Sequence, residues 1–327
     1  MHRPFIYLLT TKLNQLKRLA LFSNLTWLNA LIGLLLIGCQ FAFGTLPNAL
    51  QLTYFIAMIA LTGIPHGALD HIVAGVNDLK NGRRFQIGKF LIKYLFAILM
   101  YAICWIYLPA FSLLFFLIIS AWHFGETDIP NFNKKWLWNI NRILWGSFVL
   151  MLILLTHQED TEVIIMRITR NTEWIKLSWS FLCNHQIAVL FSIGSPVVLL
   201  STLNAIENKE QFSLSCFINL IIILAISIYL PLLPAFAIYF GGWHAIRSFE
   251  MIFNFLKSNQ EHKQMNIIGM WKKTMPMTIL AAVFFIVASF TWSSIGITSD
   301  PLPVVFIFLS VITLPHLDVM NEMIKNS

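Results

Sequence analysis

The sequence predicts an all-α protein, a polytopic transmembrane helical bundle of about ten spans. Three observations predict it. Hydrophobic residues make up 57% of the chain and charged ones only 11%, whereas soluble domains carry about 25% charged residues. A chain so poor in charge has no polar shell with which to face water. The apolar residues also fall in runs of roughly 20, the length a helix needs to cross hydrocarbon. Finally, Lys and Arg gather in alternate short connections between those runs. In lipid such a bundle needs no division into soluble modules, so residues 1–327 read as a single membrane domain.

The runs lie near 21–43, 49–76, 90–108, 110–129, 138–156, 186–203, 214–231, 235–256, 275–293 and 303–320. Pro109 and the pair Pro231 and Pro234 mark tight turns between neighbouring spans, because proline removes a backbone donor and ends a helix. The N-terminal segment carries Arg3, Lys12, Lys17 and Arg18 ahead of a run long enough to span, so it reads as a membrane helix and not as a cleaved signal.

With ten spans and an inner N-terminus, 18 of the 22 basic residues fall inside. They are the four just named, then Lys80, Arg83, Arg84, Lys89, Lys93, Lys134, Lys135, Arg142, Lys209, Lys257, Lys263, Lys272, Lys273 and Lys325. Arg167, Arg170 and Lys176 fall outside, and Arg247 lies within a helix. That bias predicts both termini inside. The net charge of +7 therefore belongs to membrane orientation and not to nucleic-acid binding. Segment 157–185, with Trp174 and Trp179, reads as an outer interfacial helix with its aromatic face in the headgroups, or else as a solvated loop. Cys39, Cys104, Cys183 and Cys216 form no CxxC pair, and the three in apolar runs read as small buried hydrophobes.

Of nine histidines, His2, His157, His185 and His262 fall in tails or connections. His66, His71, His123, His244 and His316 fall within or near the ends of apolar runs. Ionisable groups at membrane depth are costly, and they mark function by default. Four clusters hold them: GIPHGALDH (63–71), AWHFGETD (121–128), GGWHAIRS (241–248) and LPHLDVM (314–320). All four occur on spans that run outside to inside, in the middle or inner half. A shared site between helices requires that placement, and scatter would also put histidines on the other spans.

Taken singly, each could be a helix-to-helix hydrogen bonder; taken together they read as a metal site. Asp70 follows His66 by four residues and Glu126 follows His123 by three, so each carboxylate is expected beside its histidine one turn away. A carboxylate there accepts the other ring N–H, fixing the tautomer of a ligating imidazole. His71 lies about 140° around a helix from His66 and is expected behind the ligands or in a helix contact. Glycines at 63, 67, 125, 241 and 242 allow close helix approach. Imidazoles without nearby thiolates suit iron, copper, zinc or nickel. Arg247, Asp128 and Asp318, near inner span ends, read as snorkelling or paired.

These motifs resemble the Brp/Blh family of membrane β-carotene 15,15'-dioxygenases, above all HGALDH (66–71) and HFGETD (123–128), over residues 49 to 320. The resemblance implies an iron(II) oxygenase that splits the central double bond of β-carotene with O2 into two molecules of all-trans-retinal. It also implies a substrate taken from the lipid phase of a bacterial or archaeal-type cell membrane, and delivery of retinal to a rhodopsin. His66, His123 and His244 match the family's ligand positions. The family's third motif commonly has a second histidine one turn after the first, where this sequence has Ser248. The fourth ligand is then His316, or the centre has three protein ligands.

Competing readings make separate demands. A haem cytochrome needs paired axial histidines at opposed depths. A two-iron desaturase needs HxxxH and HxxHH boxes, which the sequence lacks. A transporter or proton relay would use the intramembrane His and Asp with helices broken at Pro65 and Pro315, and it predicts no bound metal. A related oxygenase acting on another carotenoid would share the metal.

Overall fold

The computed structural model describes the backbone of residues 3–129, 135–207, 214–294 and 301–326, and side chains within 22–129, 136–207, 217–290 and 302–326. Lys134 and Lys209 lie outside the described residues, as do the side chains of Arg3, Lys12, Lys17, Arg18, Lys135 and Cys216.

All regular structure among the described residues is helical. A backbone in hydrocarbon must satisfy its own polar groups, and a helix does so within one segment. In chain order the helices are α1 (Arg3–Phe43), α2 (Asn48–Met58), a π-helical turn (Ile59–Gly63), α3 (Ile64–Gly67), α4 (Asp70–Lys80), α5 (Ile87–Tyr107) and α6 (Pro109–Asp128). Then follow α7 (Lys135–Thr156), α8 (Gln158–Ile168), α9 (Glu173–Asn184), α10 (Gln186–Glu207), α11 (Leu214–Tyr229) and α12 (Leu232–Tyr239). A second π-helical turn (Phe240–His244), α13 (Ala245–Lys257), α14 (Ile267–Ser294) and α15 (Pro301–Lys325) complete the order, with one short 3-10 turn at Gln260–His262. Pro109 opens α6 directly after α5, and Pro231 caps the start of α12.

Among the described residues, eight helices are long and apolar enough to cross a membrane. They are Phe22–Phe43, the composite Asn48–Lys80, Ile87–Tyr107, Pro109–Asp128, Trp136–Thr156, Gln186–Glu207, Ile267–Phe290 and Leu302–Lys325. The runs expected at 214–231 and 235–256 take a different form. The first is the 16-residue α11. The second is broken into α12, a π-turn and α13. Two adjacent glycines, Gly241 and Gly242, lie at that break, where the α-helical register is weakest.

The chain divides into two compact units, one of residues 1–62 and 213–250 and the other of 63–212 and 251–327. In the first unit, α1 packs on α11 and on the second π-turn, and α12 packs on α2. Polar side chains tie these helices together. Asn219 donates to Thr26 Oγ1 at 2.8 Å, and Tyr54 donates to Asn29 Oδ1 at 3.0 Å. A π-turn shifts the backbone ladder by one residue. Here the Ile238 carbonyl receives the Asn29 amide, 3.0 Å away. Gly242 leaves room for that amide, since a Cβ there would lie 1.7 Å from Asn29 Nδ2.

In the second unit, α15 is the central helix, packed against α3, α4, α5, α6, α8 and α14. Trp105 donates to Ser310 Oγ at 2.6 Å in a core that includes Tyr101, Leu155, Ile165 and Val311. The tightest contact joins α6 to α7. A Cβ on Gly125 would sit 1.9 Å from the carbonyl oxygen of Arg142, and one on Gly146 would sit 1.8 Å from that of Ala121. Two glycines, one from each helix, thus bring the backbones together.

Three sequence expectations are corrected here. Segment 157–185 is not one interfacial helix. It is α8 and α9, separated by a turn in which Arg170 and Asn171 adopt left-handed φ values of 54° and 56°. Trp179 then faces the protein core at 5% exposure, while Trp174 stays exposed beside Phe111. Cys39 and Cys104 lie on exposed helix faces and are not buried, and Cys183 is half-buried. A helix apolar all round does not hide its cysteines when one face meets lipid. Arg142 is not a residue of an inner connection. It is 2% exposed on α7.

Candidate metal centre

His66 owes its position to a fault in its helix. Pro65 cannot donate to the ladder and clashes with the turn before it. The chain widens into the π-turn at Ile59–Gly63, makes the short α3, and leaves helix again at Ala68 and Leu69 before α4 begins at Asp70. Such widened turns recur at functional sites. His66 is buried at 5% exposure.

The break also redirects Asp70. The expectation that Asp70 serves His66 assumed an unbroken helix. With the helix interrupted between them, Asp70 Oδ1 accepts from Nδ1 of His316, 2.8 Å away on α15. Its Oδ2 accepts from the Tyr94 hydroxyl on α5, also at 2.8 Å. Since a carboxylate only accepts, Nδ1 of His316 carries a proton, and in the neutral ring Nε2 then carries the lone pair. That Nε2 is buried with no hydrogen-bond partner among the described residues. A buried lone pair without a donor is costly unless something else takes it.

His123 lies on α6 at 2% exposure. This helix is unbroken, so Glu126 remains one turn away, its Oε2 3.6 Å from Nδ1 of His123. The other carboxylate oxygen accepts from Arg142 on α7. Arg142 lies over Trp122 and Trp138, 4.0 and 4.4 Å from their ring centroids.

The three histidines converge. One ligand atom from each of His66, His123 and His316 lies within 4.8 Å of the other two. Imidazole nitrogens sit about 2.1 Å from a zinc-like metal, so two on one ion are at most about 4.2 Å apart. Three nitrogens around one tetrahedral or octahedral ion stand closer still, roughly 3.0–3.4 Å apart, so any excess up to the 4.8 Å bound has to be closed by side-chain movement. The rings of His66 and His123 are nearly parallel, 14° apart with centroids 6.3 Å apart. His316 stands edge-on to both, at 83° and 87°, each with centroids 4.9 Å apart. The buried trio could bind a metal, and the donor set is all imidazole with carboxylates behind it.

The remaining sequence candidates are not members of the trio. His71 is half-buried on α4, outside the trio. His244 belongs to the first unit, fully buried at the end of the second π-turn, with its ring 5.8 Å from that of Phe240. Ser248 is fully buried one turn later. Arg247 pairs with Glu250, Asp128 accepts from Trp145 at 3.0 Å, and Asp318 accepts from Lys93 at 2.6 Å.

Sequence reasoning missed Tyr94 and Arg142. Arg142 carried a signal, a cation inside an apolar run flanked by Trp138 and Trp145. Tyr94 carried none, since its tie to Asp70 exists only in the fold. Tyr94→Phe removes one hydrogen bond to an ionised carboxylate, worth about 1.5–3 kcal/mol. The expected result is a loss of metal affinity of roughly tenfold to a hundredfold, measured by chelator competition.

Comparison with known proteins bears on the whole of this region. The family model described as β-carotene 15,15'-dioxygenase matches residues 57–324, which include His66, His123, His244 and His316. A β-carotene 15,15'-dioxygenase from uncultured marine bacterium 66A03 is 28% identical over 264 residues, 80% of this chain and 90% of that protein. No solved structure matches. With the match spanning the broken helix, both carboxylates and all three grouped histidines, the chain belongs to the β-carotene 15,15'-dioxygenase family of oxidoreductases.

Proposed function

We propose that this protein cleaves the central 15,15' double bond of β-carotene with O2, giving two molecules of all-trans-retinal, at an iron(II) centre held by His66, His123 and His316. The observation that carries this reading is the buried trio, in which His316 has its tautomer fixed by Asp70 and its Nε2 left for a metal. Iron is favoured because an imidazole set without thiolate, in an oxygen-using family, suits non-haem iron(II) with open positions. Such an ion would supply a redox-active point at which O2 is taken up. His244 is carried as a further ligand by family resemblance alone, and iron stoichiometry in His244→Ala tests it.

The chain's own residues have three tasks in this reading. Asp70 and Tyr94 hold His316, and Glu126 backs His123. Burial keeps bulk water from the centre, which protects an oxidising reaction from side products. β-Carotene is wholly apolar and dissolves in the bilayer, so it reaches the protein from lipid. The retinal produced is equally lipid-soluble, which suits transfer to a rhodopsin within the same cell membrane. The basic-residue bias supports inner N- and C-termini, with α11 and the α12–α13 pair completing ten crossings.

Expression in cells that accumulate β-carotene tests the activity. Wild type is expected to yield retinal, and His123→Ala none at equal membrane level. Retinal absent from well-inserted wild type would exclude the reaction. Cleavage of a different carotenoid would then point to the related oxygenase, and a metal-free chain to the transporter.

A further inference from the structure

Arg142 is the one buried arginine among the described residues, and it lies inside a long apolar helix. An arginine there is costly, and it is retained where it has a partner and a task. The guanidinium lies against the rings of Trp122 and Trp138 and donates to Glu126. Trp122 is itself tied to α15, donating to Asn321 Oδ1 at 3.3 Å. Beneath these side chains the Arg142 carbonyl meets the backbone at Gly125, the residue next to Glu126. The geometry of the Arg–Glu pair is thus set by backbone contact and by stacked rings, not by two flexible chains finding each other.

The two carboxylates of the centre are held differently. Asp70 receives a neutral hydroxyl from Tyr94, whereas Glu126 receives a cation. A cation this close to a metal site carries an electrostatic penalty for metal binding. Its retention calls for an offsetting gain.

We propose that Arg142 is a positioning residue for the metal centre: it holds Glu126 so that the free carboxylate oxygen stays beside Nδ1 of His123, which leaves Nε2 of His123 to the metal. The proposal rests on reading the histidine trio as a metal centre. It is separable from a purely structural role, because α6 and α7 are already joined at Gly125 and Gly146. It is also separable from a role as mere counter-charge, because the two predict opposite signs. Removing only a positive charge would tighten binding of a divalent cation. Removing a positioning group weakens it.

The test is Fe2+ binding to the full-length purified chain under anaerobic conditions, by competition with a chromophoric chelator. Wild type is compared with Arg142→Lys, Arg142→Met, Glu126→Gln and the double variant Glu126→Gln/Arg142→Met. Loss of such outer partners typically lowers metal affinity by about 10–100-fold, and Arg142→Met is expected in that range. Arg142→Lys, keeping the charge without the planar fork, is expected to recover part of the loss. The double variant is expected to bind no more weakly than Glu126→Gln alone, because Arg142 acts through Glu126. It leaves no unpaired buried charge, so it serves if Arg142→Met fails to fold. Wild-type or tighter affinity in folded Arg142→Met overturns the proposal, as does a double variant tenfold weaker than Glu126→Gln. Wild type that binds no Fe2+ overturns the metal-centre reading itself.

Discussion

Alanine at any one of His66, His123 or His316 is expected to abolish β-carotene cleavage while leaving the protein in the membrane. The three rings occupy one buried cluster on three separate helices, so under the proposed metal reading each supplies a contact of its own. Loss of a Lewis-acidic metal removes several kcal/mol of barrier lowering, which is at least about a thousandfold in rate. His71→Ala provides the contrast. It lies outside the trio, and its loss is expected to change turnover by no more than roughly tenfold, about 1.4 kcal/mol. Retinal formation by detergent-purified variants, with membrane level checked separately, measures both. Equal loss in His71→Ala would mean that the centre includes His71.

The second large effect is structural. Gly125→Val is expected to prevent stable assembly of the second unit. Overpacking usually costs about 1–3 kcal/mol because side chains shift to absorb it. Here the new Cβ alone would stand 1.9 Å from a backbone carbonyl of α7, and backbone does not rotate away. Forcing α6 from α7 would also separate Glu126 from Arg142 and displace His123. Detergent-solubilised yield and thermal melting of Gly125→Val, beside Gly88→Val on α5, would check it. Among the described residues, nothing beyond its own helix backbone lies within 4 Å of a Cβ at Gly88, so that variant is expected to behave as wild type.

Much of the helical framework was legible in the sequence because length and apolarity dictate it. A run of about 20 apolar residues in lipid has few alternatives to helix. What was not legible came from local faults and tertiary ties. Pro65 announced a break, but not that the helix would stop again at Ala68 and restart at Asp70. Counting by helical spacing therefore gave Asp70 to His66, whereas the fold gives it to His316. The same spacing held for His123 and Glu126, whose helix is intact. Segment 157–185 was amphipathic enough to suggest one surface helix. The left-handed pair Arg170 and Asn171 divides it and turns Trp179 inward.

The site was legible where chemistry is expensive. Histidines and carboxylates at membrane depth stood out against an apolar background, and three of the histidines meet. Arg142 followed the same rule and was overlooked, because it was counted with the basic residues of a nearby connection. Position along the chain had stood in for depth in the fold. Family resemblance named His66, His123 and His244 but treated His316 only as the substitute for a missing ligand at Ser248. The geometry puts His316 between the other two rings, tied to Asp70.

The central claim is that the buried histidine trio holds iron. Its most direct test is the iron content and first coordination shell of anaerobically purified wild type, by elemental analysis and X-ray absorption. The expected result is about one iron per chain, bound by nitrogen and oxygen ligands at ~2.0–2.2 Å, distances usual for imidazole and carboxylate. That iron would be lost on replacing His66, His123 and His316 together. Active protein without iron, or iron that survives the triple replacement, would contradict it.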